Sequence, residues 1–204
     1  SHLYMSIAGR LAAVICISDP VREEARDCIG QLRSLGISSC VMLTGDSRRT
    51  AGAIAAEVGV DDFRAEVLPE DKAAYVQELR ARGHTVIMVG DGINDSPALS
   101  AADAGVAISS GAAIAREIAD ITVSEGDLAE LVTLRQVAMR LMARIKANYR
   151  FVIGFNGGLI ALGLMGVLQP AAGATLHNLS TLGVSLHSMT RLLPEKKEAH
   201  RDEA

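Results

Sequence analysis

Aromatic residues are scarce in this sequence, at 3% of 204 positions, and tryptophan is absent. With hydrophobic residues at 49%, a core must be built from Ala, Val, Ile and Leu, which suits helices layered on a sheet. Cysteine is sparse as well. Cys16, Cys28 and Cys40 have no C-x-x-C spacing, and an odd number in apolar settings points to reduced, buried thiols rather than a disulfide framework. A large charge of one sign is also lacking: the net charge is −4, and no basic stripe with interleaved aromatics occurs, which argues against a nucleic-acid partner. Residues 1–10 hold no signal-peptide-like apolar run and lead straight into a strand-like stretch, as if continued from a longer polypeptide.

The first two-thirds of the chain alternate between two periodicities. Leu11 to Ile17 is a continuous apolar run, as expected of a strand buried on both faces. Asp19-Pro20 ends it and opens a helix with Ala25, Ile29, Leu32 and Leu35 at helical spacing, stopped by Gly36. Strands are expected at residues 39–43, 84–89, 105–108 and 121–123, and helices at 47–58, 69–82 and from Ser96 to Ala102. Strands alternating with helices predict an α/β fold with a mostly parallel sheet covered on both faces. Polar loops follow the second and third strands, where open sheets of this kind bind ligands.

The character changes near residue 127. Residues 128–150 read as a connecting helix that grows basic through Arg135, Arg140, Arg144, Lys146 and Arg150. Residues 151–168 carry no charge and approach the roughly 20 apolar residues that span a bilayer. Gln169, Pro170 and Gly173 read as a turn, and residues 174–193 as a second spanning helix before a tail, 194–204. The turn has no Lys or Arg while both flanks are basic, which predicts a transmembrane hairpin with both ends in the cytoplasm. The alternative is a buried pair of soluble helices, disfavoured because the first stretch lacks a polar face and its glycines suit helix packing in lipid.

Three motifs carry chemistry. Gly90-Asp91-Gly92-Ile93-Asn94-Asp95-Ser96-Pro97-Ala98-Leu99 delivers two carboxylates into one glycine-rich loop after a strand, an oxygen donor set that suits Mg²⁺, with Gly90 and Gly92 allowing close backbone approach to a phosphate. Thr44-Gly45-Asp46 offers a hydroxyl and backbone N–H groups at a helix N-terminus, a ready phosphate site, although Asp46 or Ser47 can equally cap that helix. Lys72, in the first turn of its helix, is unremarkable alone. In this order, on successive strand–helix units, the three compose an electrostatic clamp for a phosphoryl group.

The ordered set TGDS, PEDK and GDGINDSPAL, with Asp19-Pro20-Val21-Arg22 ahead of it, resembles the heavy-metal-transporting P-type ATPases, whose phosphorylation domain is haloacid-dehalogenase-like. The resemblance implies a rear portion of that domain at residues 1–127, followed by the last two membrane helices. It implies that Thr44, Gly45 and Asp46 contact the phosphoryl group, that Lys72 neutralises its charge, that Asp91 binds Mg²⁺, and that Asn94 and Asp95 order the phosphate and metal. It also implies ATP in the complete pump, a multi-pass protein of a bacterial inner membrane with this domain in the cytoplasm, and partners in the lipid bilayer and in actuator and nucleotide-binding domains not found here.

The family's nucleophile lies in a DKTGT motif, and this sequence contains none. The expectation is therefore a pump fragment, inactive alone. A membrane-anchored dehalogenase-like phosphatase needs a D-x-D loop that is also missing; a non-catalytic partner of a complete pump is the other alternative. For the cargo, His177, Thr181, Ser185 and Ser188 share one side of the last helix, with Asn178 beside His177 and Asn156 on the preceding helix. His177-Asn178 resembles the manganese- and zinc-associated members, so Asn156, His177, Asn178 and Thr181 are the expected ligands of Mn²⁺ or Zn²⁺. A helix-packing role for His177, and for His187, is the competing reading.

Overall fold

The computed structural model describes residues 2–16, 20–90, 93–108, 118–123 and 128–193. The chain divides into two compact units, Ser1–Val132 and Thr133–Ala204.

The first unit opens on a hairpin, β1 (His2–Ile7) and β2 (Arg10–Cys16), paired antiparallel. Ala8 and Gly9 both take positive φ, 53° and 76°, the mirror-image turn whose twist matches a two-residue hairpin. This corrects the expectation of a first strand buried on both faces. Among the described residues no layer covers β2; Leu11 is 63% exposed, and Val14 and Ile15 are exposed with it. An apolar run signals burial only where a second layer exists to bury it.

Helix α1 (Ala25–Ser34) buries Ala25 and Cys28, later than the expected start at Pro20. Cys28 keeps its thiol, Sγ donating to the Leu128 carbonyl at 3.2 Å. Strand β3 (Val41–Leu43) leads to α2 (Arg48–Val58), then β4 (Asp62–Arg64), which the sequence reading missed, and α3 (Pro69–Ala81). Strand β5 (Ile87–Gly90) is followed by a 3₁₀ turn (Ile93–Asp95), α4 (Ser96–Ala101), β6 (Ala104–Ile108) and β7 (Ile121–Val123).

The domain is α/β with parallel strands, as expected, but the ladders are separate. Among the described residues β3 pairs only with β4, and β5–β6–β7 form a second parallel sheet. Among the described residues no strand links β3 to β5, so the parallel sheet is incomplete there. The core sits on the second sheet, where Leu99, Val106, Ala98 and Ala107 are fully enclosed and Val76 of α3 packs with them. Two carboxylates pin the periphery. Asp103 accepts from the Val86 N–H at 2.8 Å and from Arg80 Nε at 2.9 Å. Asp61 accepts from the Cys40 N–H at 2.7 Å and from Arg33 at 2.8 Å.

The expected connecting helix and first apolar stretch form one continuous helix, α5 (Ala129–Leu164), of 36 residues. Helix α6 (Pro170–Ser188) begins at Pro170, so Gly173 lies inside the helix and not in the turn. Among the described residues no helix is long and apolar enough to cross a membrane. The expected spans, 151–168 and 174–193, are corrected accordingly. Helix α5 ends at Leu164, inside the uncharged run, so its apolar part stops well short of about 20 residues. The apolar sequence of α6 is broken by His177, Asn178, Ser180, Thr181, Ser185 and His187.

Candidate functional site

The site is built at the C-terminal ends of β3 and β5. After Leu43 the backbone turns through Thr44, held by its N–H to the Arg64 carbonyl at 2.9 Å and by its own carbonyl to the Val67 N–H at 3.0 Å. Thr44 Oγ1 donates to Asp46 Oδ2 at 2.8 Å and accepts from the Asp46 N–H at 3.1 Å. Asp46 thus closes a small ring on Thr44 and does not cap α2. Ser47 is the cap, its hydroxyl accepting from the Thr50 N–H.

The Val67 bond carries the loop to α3. Leu68 precedes Pro69 and Asp71, a helix start fixed by proline in the first turn and by Asp71 reaching back to the Leu68 N–H at 3.3 Å. That first turn positions Lys72, whose Nζ meets Asp95 Oδ1 at 2.7 Å. Both side chains are largely enclosed, 16% and 12% exposed, so neither charge is left to water. Asp95 is backed by Gly90 at the end of β5. A Cβ on Gly90 would come within 2.7 Å of the Asp95 Cβ and 2.9 Å of its Oδ2, so only glycine fits.

The structure therefore joins Thr44, Lys72 and Asp95 through consecutive contacts, and Gly45 and Gly90 lie in that frame. Asn94 sits in the 3₁₀ turn, exposed. Asp91 and Gly92 lie outside the described residues, as does Asp19. One feature was not singled out in the sequence: Ser96 Oγ is buried with no hydrogen-bond partner among the described residues, at the base of the same loop. Its signal was present inside the decapeptide, but a serine at a helix start reads first as a cap. Asp95 brings a carboxylate, the donor type Mg²⁺ takes, with its Oδ1 on Lys72 Nζ.

In the second unit His177 Nδ1 lies 2.9 Å from Asn156 Oδ1. Thr181 Oγ1 and Ser180 Oγ turn back to the His177 carbonyl, at 3.1 and 2.8 Å. Asn178 and His187 are exposed on α6. No group of three or more His, Cys, Asp or Glu able to hold a metal occurs among the described residues.

Residues 3–103 match the haloacid dehalogenase-like hydrolase family, which agrees with parallel strands carrying acidic and hydroxyl loops at their C-terminal ends. The first unit is a haloacid dehalogenase-like hydrolase domain. Over most of its length the chain is homologous to the heavy-metal P-type ATPases. It is 41% identical to a manganese-exporting P-type ATPase of Mycobacterium leprae, over 91% of this chain and 26% of that protein. It is 41% identical to a zinc-exporting P-type ATPase of Mycobacterium marinum, over 96% of this chain and 27% of that protein. The crystal structure of a zinc-transporting PIB-type ATPase in the E2.Pi state superposes with TM-score 0.82 at 35% identity, covering 92% of this chain and 30% of that one. The chain spans about a quarter of the length of the curated relatives it matches.

Proposed function

We propose that this chain serves in an ATP-driven transition-metal cation pump that works through an aspartyl-phosphate. The observation that carries the reading is the enclosed Lys72–Asp95 pair, linked through Val67 to the Thr44 loop, on a chain homologous to metal pumps along nearly all its length. In this account Thr44, Gly45 and Asp46 receive phosphoryl oxygens. Lys72 offsets their charge, and Asn94 with Asp95 orders the site. Asp91 and Asp95 would hold Mg²⁺, which supplies charge neutralisation on the transferring phosphoryl group. Without a DKTGT segment the chain forms no phosphoenzyme by itself. The missing D-x-D loop disfavours a membrane-anchored phosphatase; a non-catalytic partner of a complete pump is the alternative reading, tested by co-purification with a full-length ATPase.

We place the α5–α6 pair at the membrane of the complete pump, where neighbouring helices cover the polar positions of α6 that a lone helix cannot take into lipid. The cargo is a transition-metal cation, Mn²⁺ or Zn²⁺, with His177 as its first contact. The test replaces the matching segment of the Mycobacterium leprae relative with this chain. Acid-stable phosphoenzyme from labelled ATP is expected in Mg²⁺, lost in Asp91→Ala, and stimulated by one of the two cations. Phosphoenzyme that forms normally in Asp91→Ala contradicts the proposal.

A further inference from the structure

We propose that Asn156 is a positioning residue for His177, holding its ring as the Nδ1–H tautomer so that the Nε2 lone pair is left for a transition-metal cation. The inference rests on the pump reading and divides two roles that the sequence alone gives jointly to both residues. Asn156 Oδ1 is an amide oxygen and can only accept, so at 2.9 Å the His177 Nδ1 must donate. A neutral imidazole carries one proton, and Nε2 is then unprotonated. Fixing one ring nitrogen on an oxygen acceptor so that the other can bind metal is how protein histidines are prepared as ligands.

The alternative is a bond that only holds two helices in register. Other contacts already do that. Asn148 Nδ2 donates to Ser188 Oγ at 2.9 Å. Arg144 donates to the Ser188, Thr190 and Arg191 carbonyls at 3.2, 2.6 and 3.2 Å. Arg140 donates to the Leu192 carbonyl at 3.0 Å. Arg140, Arg144 and Asn148 stand four residues apart on one face of α5, and Asn156 continues that face two steps further. They secure the C-terminal end of α6, and a slip of one helical turn would carry His177 about 5.4 Å from Asn156. With register held elsewhere, the Asn156 contact is free to set the state of the ring. Ser180 and Thr181 do not compete for it, because both hydroxyls donate to the His177 backbone carbonyl.

The test is nitrogen NMR of ¹⁵N-histidine-labelled full chain in detergent micelles, with the His177 signals identified by their loss in His177→Ala. The expected result is a protonated Nδ1 and a bare Nε2, retained in Asn156→Asp and lost in Asn156→Leu. Added Zn²⁺ should then shift Nε2, with affinity falling about tenfold to a hundredfold in Asn156→Leu. A native ring protonated at Nε2, or a tautomer unchanged in Asn156→Leu, overturns the positioning role. If Asn156→Leu loses its helicity, the native tautomer and its retention in Asn156→Asp decide the question. The expected tautomer with a ring indifferent to both Zn²⁺ and Mn²⁺ overturns the cation assignment, and with it His177 as cargo ligand, while Asn156 keeps its hold on the ring.

Discussion

The two units bury their residues differently. In the first, Leu99, Val106 and Ala107 are enclosed and the charged pair Lys72–Asp95 is shielded with them. In the second, α6 has no buried residue, and the buried positions of α5, Leu131 and Val132, belong to the first unit. Leu164, Met165, Val167 and Met189 are each more than 70% exposed. Hydrogen bonds from Arg140, Arg144, Asn148 and Asn156 tie α5 to α6 and to the residues just after it. A domain with its own core holds its site by packing, whereas a helical pair without one is specified by hydrogen bonds and needs an apolar surrounding to cover the rest.

The contrast can be broken most sharply at Lys72. Lys72→Met strands the enclosed Asp95 carboxylate and should cost about 3–5 kcal/mol, read from the urea midpoint of the first unit. A shift within experimental error would mean that the pair is open to water. Next comes Gly90→Ala, which forces Asp95 away from its place and should cost about 1–3 kcal/mol, with the same readout.

The third effect is a pH dependence. The Cys40 N–H and the Arg33 guanidinium hold Asp61 below the usual carboxylate range, and the Val86 N–H with Arg80 does the same for Asp103. Their folded-state values are depressed, so their stabilisation is complete above the ordinary aspartate range and disappears as pH falls through the folded values. Asp103→Asn should flatten the acid limb of the first unit's stability curve by lowering stability near neutrality, with the smallest difference from the native chain at low pH. An acid limb identical to that of the native chain would remove Asp103 as its source.

The smallest effect belongs to the second unit. Arg144→Ala removes the donor from the last turn of α6 and should cost about 0.3–1 kcal/mol there. Faster amide exchange near Ser188–Arg191 in micelles, with an unmoved urea midpoint for the first unit, is the expected pattern. A coupled loss in both would erase the distinction between them.

Much of the first unit was legible. Gly59 and Gly83, Pro69, and the periodicity of α2 and α3 marked element ends to within a residue or two, because those signals are local. β4 was not legible: three residues with only Phe63 apolar leave no period to read, and it exists by pairing with β3. β2 was misread because burial depends on a second layer that local sequence does not encode. At the site, the decapeptide announced Asp95, but Lys72 on its own was an ordinary surface residue, and only folding brought it to 2.7 Å from that carboxylate. The Asn156–His177 contact spans two helices, and the sequence suggested both as ligands without indicating that one holds the other.

Lys72 tests the central claim most directly. In the Mycobacterium leprae pump carrying this chain's segment, Lys72→Ala should lower the rate of phosphoenzyme formation from labelled ATP by about 10²–10³, with Lys72→Arg recovering part of it. Phosphorylation at the native rate in correctly folded Lys72→Ala would show that the Thr44–Lys72–Asp95 frame is structural and that the phosphoryl group is held elsewhere.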